Sequence, residues 1–525
     1  MIRGGGARQG AADLSPGARV VAGRLAAAAS SRPVNRALPL LLLALLACGD
    51  DDAPADAGAD GGADGGVDGG SNGGVDAGPP YPPWPAALPP ATTLGERRGR
   101  RLARATVHLH SPLSHDACDG EGWVDGALAD AACLAHLRDA MCALHLDAAM
   151  LTDHAPHVEE VGLEGALWIA EGDEPLRDAE GAVVASRLAC PDGHRVLVQA
   201  GSENALMPLG LDRHPTPPGT PAGEAPDPDA LRALYDARTP EAIAALREAG
   251  ALIWQAHTEE HALDVLRASD LDGLEIYNLH ANVDPGIREE FLGLEPVGFL
   301  PELLAFTRAS YRLPPDLAVL AFLDENRPAL EKWDTLLAEG LRPTGTGGCD
   351  AHENAFPQLL GDGERADSYR RMMFWISNHL LVDEVSPAGV EEALAAGRLY
   401  VTFEVFGSPV GFDFVGRAGE ALFEMGEDAP AGATLELTRP RLPEGWPSDP
   451  PPELSLHILR AAEGGAVEVA RGEGETLRFV ADAPGAYRAE VRMVPEHARA
   501  FLGRRADGLV REVVWVYSNP IFVAE

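Results

Sequence analysis

Ala105-Thr106-Val107-His108-Leu109-His110, followed by the polar turn Ser111-Pro112-Leu113-Ser114-His115-Asp116, decides how the rest of the chain is read. An apolar run that ends in His-x-His reads as a short strand, Ala105–Leu109, handing two imidazoles to a loop. Side chains alternate across a strand, so His108 and His110 share one face and can grip one cation together. A lone histidine is more often a core or surface residue. A pair beside further donors points to a metal.

The same arrangement recurs along the chain. The apolar run Ala148–Leu151 delivers Thr152-Asp153-His154, and Val196–Ala200 delivers Gly201-Ser202-Glu203. Leu252–Gln255 leads to His257, and the glycine-rich Thr344–Cys349 leads to Asp350-Ala351-His352. Gly273–Tyr277 is a further strand. Between them the periodicity predicts helices over Val124–Leu144, Pro240–Ala249 (with Thr239 as N-cap), Pro328–Glu339 and Ser386–Gly397. Each candidate ligand thus follows the carboxyl end of a strand, where α/β barrels and open parallel sheets build their sites. Residues 155–195 and 208–235, rich in Pro, Asp and Glu, read as rim loops.

Zinc, manganese and iron take such nitrogen and oxygen donors, and two or three adjacent ions need about this many. Glu203 is the candidate carboxylate bridging two ions, and Asp153 either orients a neighbour or binds directly. Cys349 abuts the closing pair, as a ligand or as a small buried residue beside a strand end. Beyond Tyr400 the pattern changes to short alternating runs separated by Gly/Pro/Asp turns, among them Leu435–Leu437, Leu454–Ile458, Thr476–Val480, Tyr487–Val491 and Glu512–Phe522. These predict a β-sandwich-like domain over 401–525.

The 525-residue chain holds 81 acidic against 42 basic residues, and Lys332 is its single lysine. That balance argues against nucleic-acid backbone as a partner, which needs clustered basic charge. At the amino end, Arg32 and Arg36 precede an apolar run closing in Leu45-Leu46-Ala47-Cys48. This reads as an export signal over 1–48, too short to span a bilayer as a mature helix. The Leu-Leu-Ala-Cys pattern resembles a bacterial lipobox, which implies lipidation at Cys48 and an extracytoplasmic, membrane-tethered protein. Residues 49–100, first Gly/Ala/Asp-rich and then Pro-rich, read as a disordered acidic tether. Five cysteines follow Cys48, so full internal pairing is excluded. An oxidising compartment permits a bridge among Cys118, Cys133 and Cys142.

In their order, HLHSPLSHDACDG, LTDH, GSEN, QAH and GCDAH resemble the motifs of the PHP (polymerase and histidinol phosphatase) superfamily over residues 104–400. The resemblance implies a distorted (β/α)7 barrel over 101–400 with two or three divalent ions (Zn, Mn or Fe). It implies hydrolysis of a small-molecule phosphate ester by a metal-activated water. Carried over, His108 and His110 match the opening pair, His154 the TDH histidine and Glu203 the central glutamate. His257 matches a later strand-end histidine, and Asp350 and His352 the closing DxH. The catalytic centre is then His108, His110, Glu203, Asp350 and His352. The third ligand of the opening motif is His115 or Asp116, with Asp119 a weaker rival. One further histidine is due between Glu203 and His257, and His214 is the only one there.

His157, His194, His261 and His280 read as rim or surface residues, and Arg370 and Arg371 as phosphate clamps or solvated arginines. No Walker loop, dinucleotide fingerprint or nucleophile elbow is present. Two other readings are metal-dependent hydrolysis of a non-phosphate bond and a non-catalytic surface binding protein. No protein partner is identifiable.

Overall fold

The computed structural model describes residues 84–524, apart from 222, 223, 225, 309 and 310. The signal and lipobox segment 1–48 and most of the tether lie outside the described residues. Among the described residues no helix is long and apolar enough to cross a membrane.

A mixed parallel and antiparallel α/β sheet carries the site. Its strands are β1 (Arg100–Thr106), β2 (Ala148–Leu151), β3 (Arg195–Gly201), β4 (Met207–Leu211), β5 (Leu252–Gln255), β6 (Gly273–Asn278), β7 (Thr344–Gly348) and β8 (Ser377–Val382). β1, β2 and β3 run parallel, as do β5, β6 and β7. β4 is inserted antiparallel between β3 and β5, and β8 pairs antiparallel with β1. The sheet curls until its ends meet: beyond β1 and β7, Leu109 bridges Ala351, and the His110 amide donates to Ala351 O at 3.2 Å. This curl is consistent with a distorted barrel, although two of its strands run against the rest.

β7 explains itself only through its neighbours, because Thr-Gly-Thr-Gly-Gly has little strand propensity. A Cβ on Gly345 would meet Trp333 at 2.8 Å, and one on Gly347 would meet Val401 at 2.6 Å. Only glycine lets these layers approach so closely. Side-chain amides complete its hydrogen bonding. Asn378 accepts from Gly347 N at 2.9 Å and donates to Gly347 O at 2.8 Å. Asn519 makes the same pair of bonds with Gly345, each 2.8 Å. No buried backbone group of these two glycines is left unpaired, as burial demands.

The expected helices form, with caps that set their starts. Thr239 accepts from Ala242 N and Ser386 from Gly389 N, so these helices run Pro240–Glu248 and Pro387–Ala395. Asn326 caps Arg327–Ala338. The helix expected from Val124 begins only at Ala131, capped by Asp130. Before it, Trp123–Val124 and Ala127–Leu128 form a hairpin on an Asp125-Gly126 turn with φ of 50° and 78°. The expected rim loops also contain structure. Val183–Ala189 pairs antiparallel with β3 and with Glu174–Arg177, and Met207–Leu211 is β4 itself. Pairing on both edges makes Val183–Ala189 a strand, with Val183, Ala185, Ser186 and Leu188 buried.

The region beyond residue 400 forms two largely antiparallel sheets. One is continuous with the barrel sheet: β9 (Leu399–Thr402) pairs with β8 on one side and Val513–Ser518 on the other. From there it extends through Gly485–Val494, Glu453–Arg460 and Val467–Gly472. The other sheet has four strands, built around Asp413–Ala418 and Ala433–Thr438. Arg488 clamps the first sheet to the helix Arg327–Ala338 through a buried two-pronged pair with Asp334, 2.9 and 3.0 Å. Cys118 is bonded to Cys133 and Cys142 to Cys190; the second bridge reaches beyond the three cysteines expected to pair.

Candidate metal centre

The curl of the sheet brings residues far apart in sequence onto one point. His108 Nε2 lies 2.9 Å from Glu203 Oε2 and 3.2 Å from Asp350 Oδ1. His110 Nε2 lies 3.2 and 3.3 Å from the same two oxygens. His154 Nε2 is 3.5 Å from Glu203 Oε2, and His257 Nε2 is 3.5 Å from Glu203 Oε1 and 3.2 Å from Asp350 Oδ2. His352 Nε2 and His154 Nε2 both approach Asp116 Oδ2, at 3.5 and 4.0 Å. Glu203 and Asp350 therefore stand between three sets of imidazoles.

A second pattern orients these rings. In each of five histidines, Nδ1 is held from behind and Nε2 is left facing the centre. His108 Nδ1 bonds Glu275 Oε1 at 2.7 Å, His110 Nδ1 the Ser114 hydroxyl at 3.1 Å, and His257 Nδ1 lies 3.3 Å from Glu259 Oε1. His154 Nδ1 donates to the Glu203 carbonyl at 2.6 Å and His352 Nδ1 to the Asp350 carbonyl at 3.0 Å. Metal-binding histidines are held in this way, because the rear bond fixes the tautomer that frees the other nitrogen.

The electrostatics agree. Burial pushes the Glu203 and Asp350 carboxyls up, but the neighbouring histidines outweigh it and hold both well below the usual carboxylate range. Burial lowers His108 and His257, yet the same carboxylates raise both above their ordinary value. His110 is pushed up to about 9 despite its burial. His352 goes the other way, to about 3, through burial and repulsion from His110. Two buried atoms, Asp350 Oδ1 and His352 Nε2, have no hydrogen-bond partner. Buried polar atoms are seldom left so. A concentrated carboxylate charge, imidazole lone pairs aimed inward and orphaned buried acceptors fit divalent cations, which would displace the histidine protons on binding.

Among the described residues the possible ligand groups are His108, His110, Glu203 and Asp350; His110, His154 and His352; and His257, Glu259 and Glu260. Backbone strain accompanies them: His257 and Asp350 have φ of 47° and 50°, in the left-handed region.

Where the sequence left alternatives open, the side chains take up definite places. Of His115 and Asp116, it is Asp116 that reaches the cluster; the His115 ring stays at its edge, 5.6 Å from that of His154. Asp119 is paired with Arg365 instead, at 2.6 Å. His214 does not join. Its Nδ1 meets the Tyr235 hydroxyl at 2.9 Å and its Nε2 the Val161 carbonyl at 2.7 Å, so neither nitrogen is free for a metal. Asp153 is an orienting residue, accepting from the Ser111 amide and, at 2.7 Å, from the Ser111 hydroxyl. Cys349 is buried beside the His108 carbonyl, and burial pushes its thiol up to about 11, so it packs as a neutral thiol. Arg370 and Arg371 are tied to Asp316 and Glu364 and present no clamp to the centre.

Three contributors went unread. Glu275 lies wholly buried in the apolar run Gly273–Asn278, where an acid has no place without a partner; that mismatch was the available signal. Glu259 follows His257 by two residues, and Lys332 pins their loop by donating to Glu259 O at 2.6 Å. His280, read as a rim residue, places Nδ1 3.2 Å from Asp350 Oδ2.

Gly348 protects this arrangement, since a Cβ there would strike the Glu275 carboxylate and lie 3.2 Å from His108 Nδ1. Gly348→Ala is expected to displace Glu275 and weaken metal binding about 10- to 100-fold, the usual cost of losing a ligand's supporting partner. Competition titration with a chromophoric chelator would measure it, and unchanged affinity would refute the supporting role of Glu275.

No family model and no curated protein matches the chain. Two solved structures overlay on it. One is a two-domain protein from Bacteroides vulgatus described as containing a predicted PHP-like metal-dependent phosphoesterase. It is 13% identical, covers 77% of this chain and 93% of its own, and gives a TM-score of 0.28. The other is PsfC from Pseudomonas syringae, 14% identical, with 54% of this chain and 82% of its own covered and a TM-score of 0.25. At such TM-scores neither overlay carries weight, and the assignment stands on the site: a buried His/Asp/Glu cluster built to hold metal ions.

Proposed function

We propose that the protein is a metal-dependent hydrolase that cleaves phosphate esters of small molecules at this centre. The observation that carries the reading is the inward convergence of imidazole Nε2 atoms on Glu203 and Asp350, with Asp350 Oδ1 and His352 Nε2 left without a hydrogen-bond partner. His108, His110, Glu203, Asp350, His352, Asp116, His154 and His257 would hold two or three divalent ions. Such ions supply a water acidified to near neutrality and neutralise charge on the ester oxygens.

The chain's own residues do the rest. Glu203 and Asp350 hold the positive charge of the centre in place, and the rear partners Glu275, Glu259 and Ser114 keep the rings from turning. His280 sits at the margin of the centre with its Nδ1 on Asp350, the best-placed group to pass a proton to a departing alkoxide. The distorted (β/α)7 barrel of PHP type and the β-sandwich-like accessory domain belong to this same reading. So does tethering outside the cytoplasm through Cys48; the two disulfides support the extracytoplasmic part of it, since such bonds persist in oxidising compartments.

One observation favours hydrolysis of a non-phosphate bond instead: the arginines that follow the closing motif, Arg365, Arg370 and Arg371, are all paired with acids. The full chain loaded with Zn²⁺ or Mn²⁺ should hydrolyse members of a panel of phosphomono- and diesters, lose that activity on chelation, and be inhibited by inorganic phosphate. Hydrolysis of carboxylic esters or amides alone, untouched by phosphate, would sink the phosphoester reading and favour the second.

A further inference from the structure

A cleft opens directly beside the centre. His280, Asp350 and His352 of the centre line it together with the apolar side chains of Val283, Leu303, Phe322, Phe356, Met372 and Trp375, and Asn354 lies among them. Its enclosed volume is about 40 Å³, a narrow slot that continues into an open mouth. Glu353 and Asp367 also line it, but their carboxylates are spent on the protein. Glu353 takes His136 at 3.1 Å and the Tyr369 amide at 3.3 Å. Asp367 takes the Ala355 and Phe356 amides at 2.8 Å each, and Arg365. No lysine or arginine lines the cleft.

We propose that this cleft is the subsite for the organic part of the substrate, and that this part is an uncharged aryl or alkyl group; the proposal rests on the phosphoester reading above. A group anchored at the centre projects into the cleft because three centre residues are also its wall. A polyol or sugar there would leave hydroxyls against Phe322, Phe356 and Trp375 without partners, which burial penalises. A second anionic group would meet two carboxylates and no compensating cation. An apolar group only gains, by leaving water.

The wall is also preformed. The Trp375 indole N–H donates to Asp316 O at 2.7 Å, which fixes the ring, and Phe322 packs edge-on against it with centroids 5.5 Å apart. A rigid wall avoids the cost of ordering on binding.

Calorimetric titration of the Mn²⁺-loaded full chain with three probes tests this: methylphosphonate, benzylphosphonate and 3-phosphonopropanoate. Benzylphosphonate should bind about 10- to 100-fold more tightly than methylphosphonate, the worth of burying one ring. It alone should alter the fluorescence of Trp375, and 3-phosphonopropanoate should show no advantage. Val283→Phe, which fills the cleft, should bring the benzyl-to-methyl ratio near one. Phe322→Ala, which widens it, should move the preference toward naphthylmethylphosphonate, so the readout survives if one variant fails to fold. A wild-type ratio near one, or tighter binding of 3-phosphonopropanoate, overturns the subsite and leaves the phosphoester reading standing. Failure of every phosphonate to bind overturns both.

Discussion

Glu203→Ala is expected to lower bound metal and turnover together, turnover by more than about a hundredfold. Loss of a ligand's supporting partner alone costs 10- to 100-fold, and Glu203 faces the centre itself. Its Oε2 lies within 3.5 Å of His108, His110 and His154, and its Oε1 is 3.5 Å from His257. Without it, four imidazoles lose their common counter-charge, and Asp350 is left to hold the centre with Asp116. Metal per chain, measured by plasma emission spectrometry beside kcat/KM, decides the matter. A variant with full metal content and turnover within about tenfold of wild type would remove Glu203 from the centre. His214→Ala is the control, since both its nitrogens are bonded elsewhere and metal content should not change.

Glu404→Ala is expected to be strongly destabilising, by about 3–5 kcal/mol, because it strands a buried arginine. Glu404 follows β9 and is wholly buried. Oε1 accepts from Arg104 at 2.9 Å and from Ser377 at 3.0 Å, and meets His379 Nε2 at 2.5 Å; Oε2 accepts from Ser408 at 2.5 Å. Burial pushes this carboxyl up, but Arg104 and His379 outweigh it and hold it well below the usual range. A depressed carboxyl stabilises the fold above its unfolded value of 4.5, and that contribution is lost as pH falls through the folded value. Denaturant unfolding of the wild type should therefore show stability declining below about pH 4.5, and Glu404→Ala should flatten that part of the decline. A variant within about 1 kcal/mol of wild type at pH 7 would show that Arg104 is not stranded without Glu404.

The strand-end positions of the ligands were legible because they rest on local rules. Alternation puts His108 and His110 on one face, and an apolar run ending in a polar turn marks where a parallel strand stops. Strands β2 and β5 fall where the apolar runs place them, and Thr239 and Ser386 cap the helices they precede. The Asp125-Gly126 turn was equally local. It was hidden by the Ala/Leu-rich segment around it, whose helical spacing outweighed one dipeptide. β4 and the strand Val183–Ala189 were not local at all, since pairing across the sheet makes strands of segments whose composition reads as loop.

What the sequence by itself determined is the chemistry available: which donors exist and that they follow strands in order. Which of them meet was decided by tertiary structure. Asp116 rather than His115 reaches the centre, His214 is bonded away from it, and Glu275 and His280 enter from segments read as core and rim. The physical reason is distance. A ligand's role depends on angstroms between side chains hundreds of residues apart, and those are set by how the sheet curls and how closely the glycines of β7 let its layers approach.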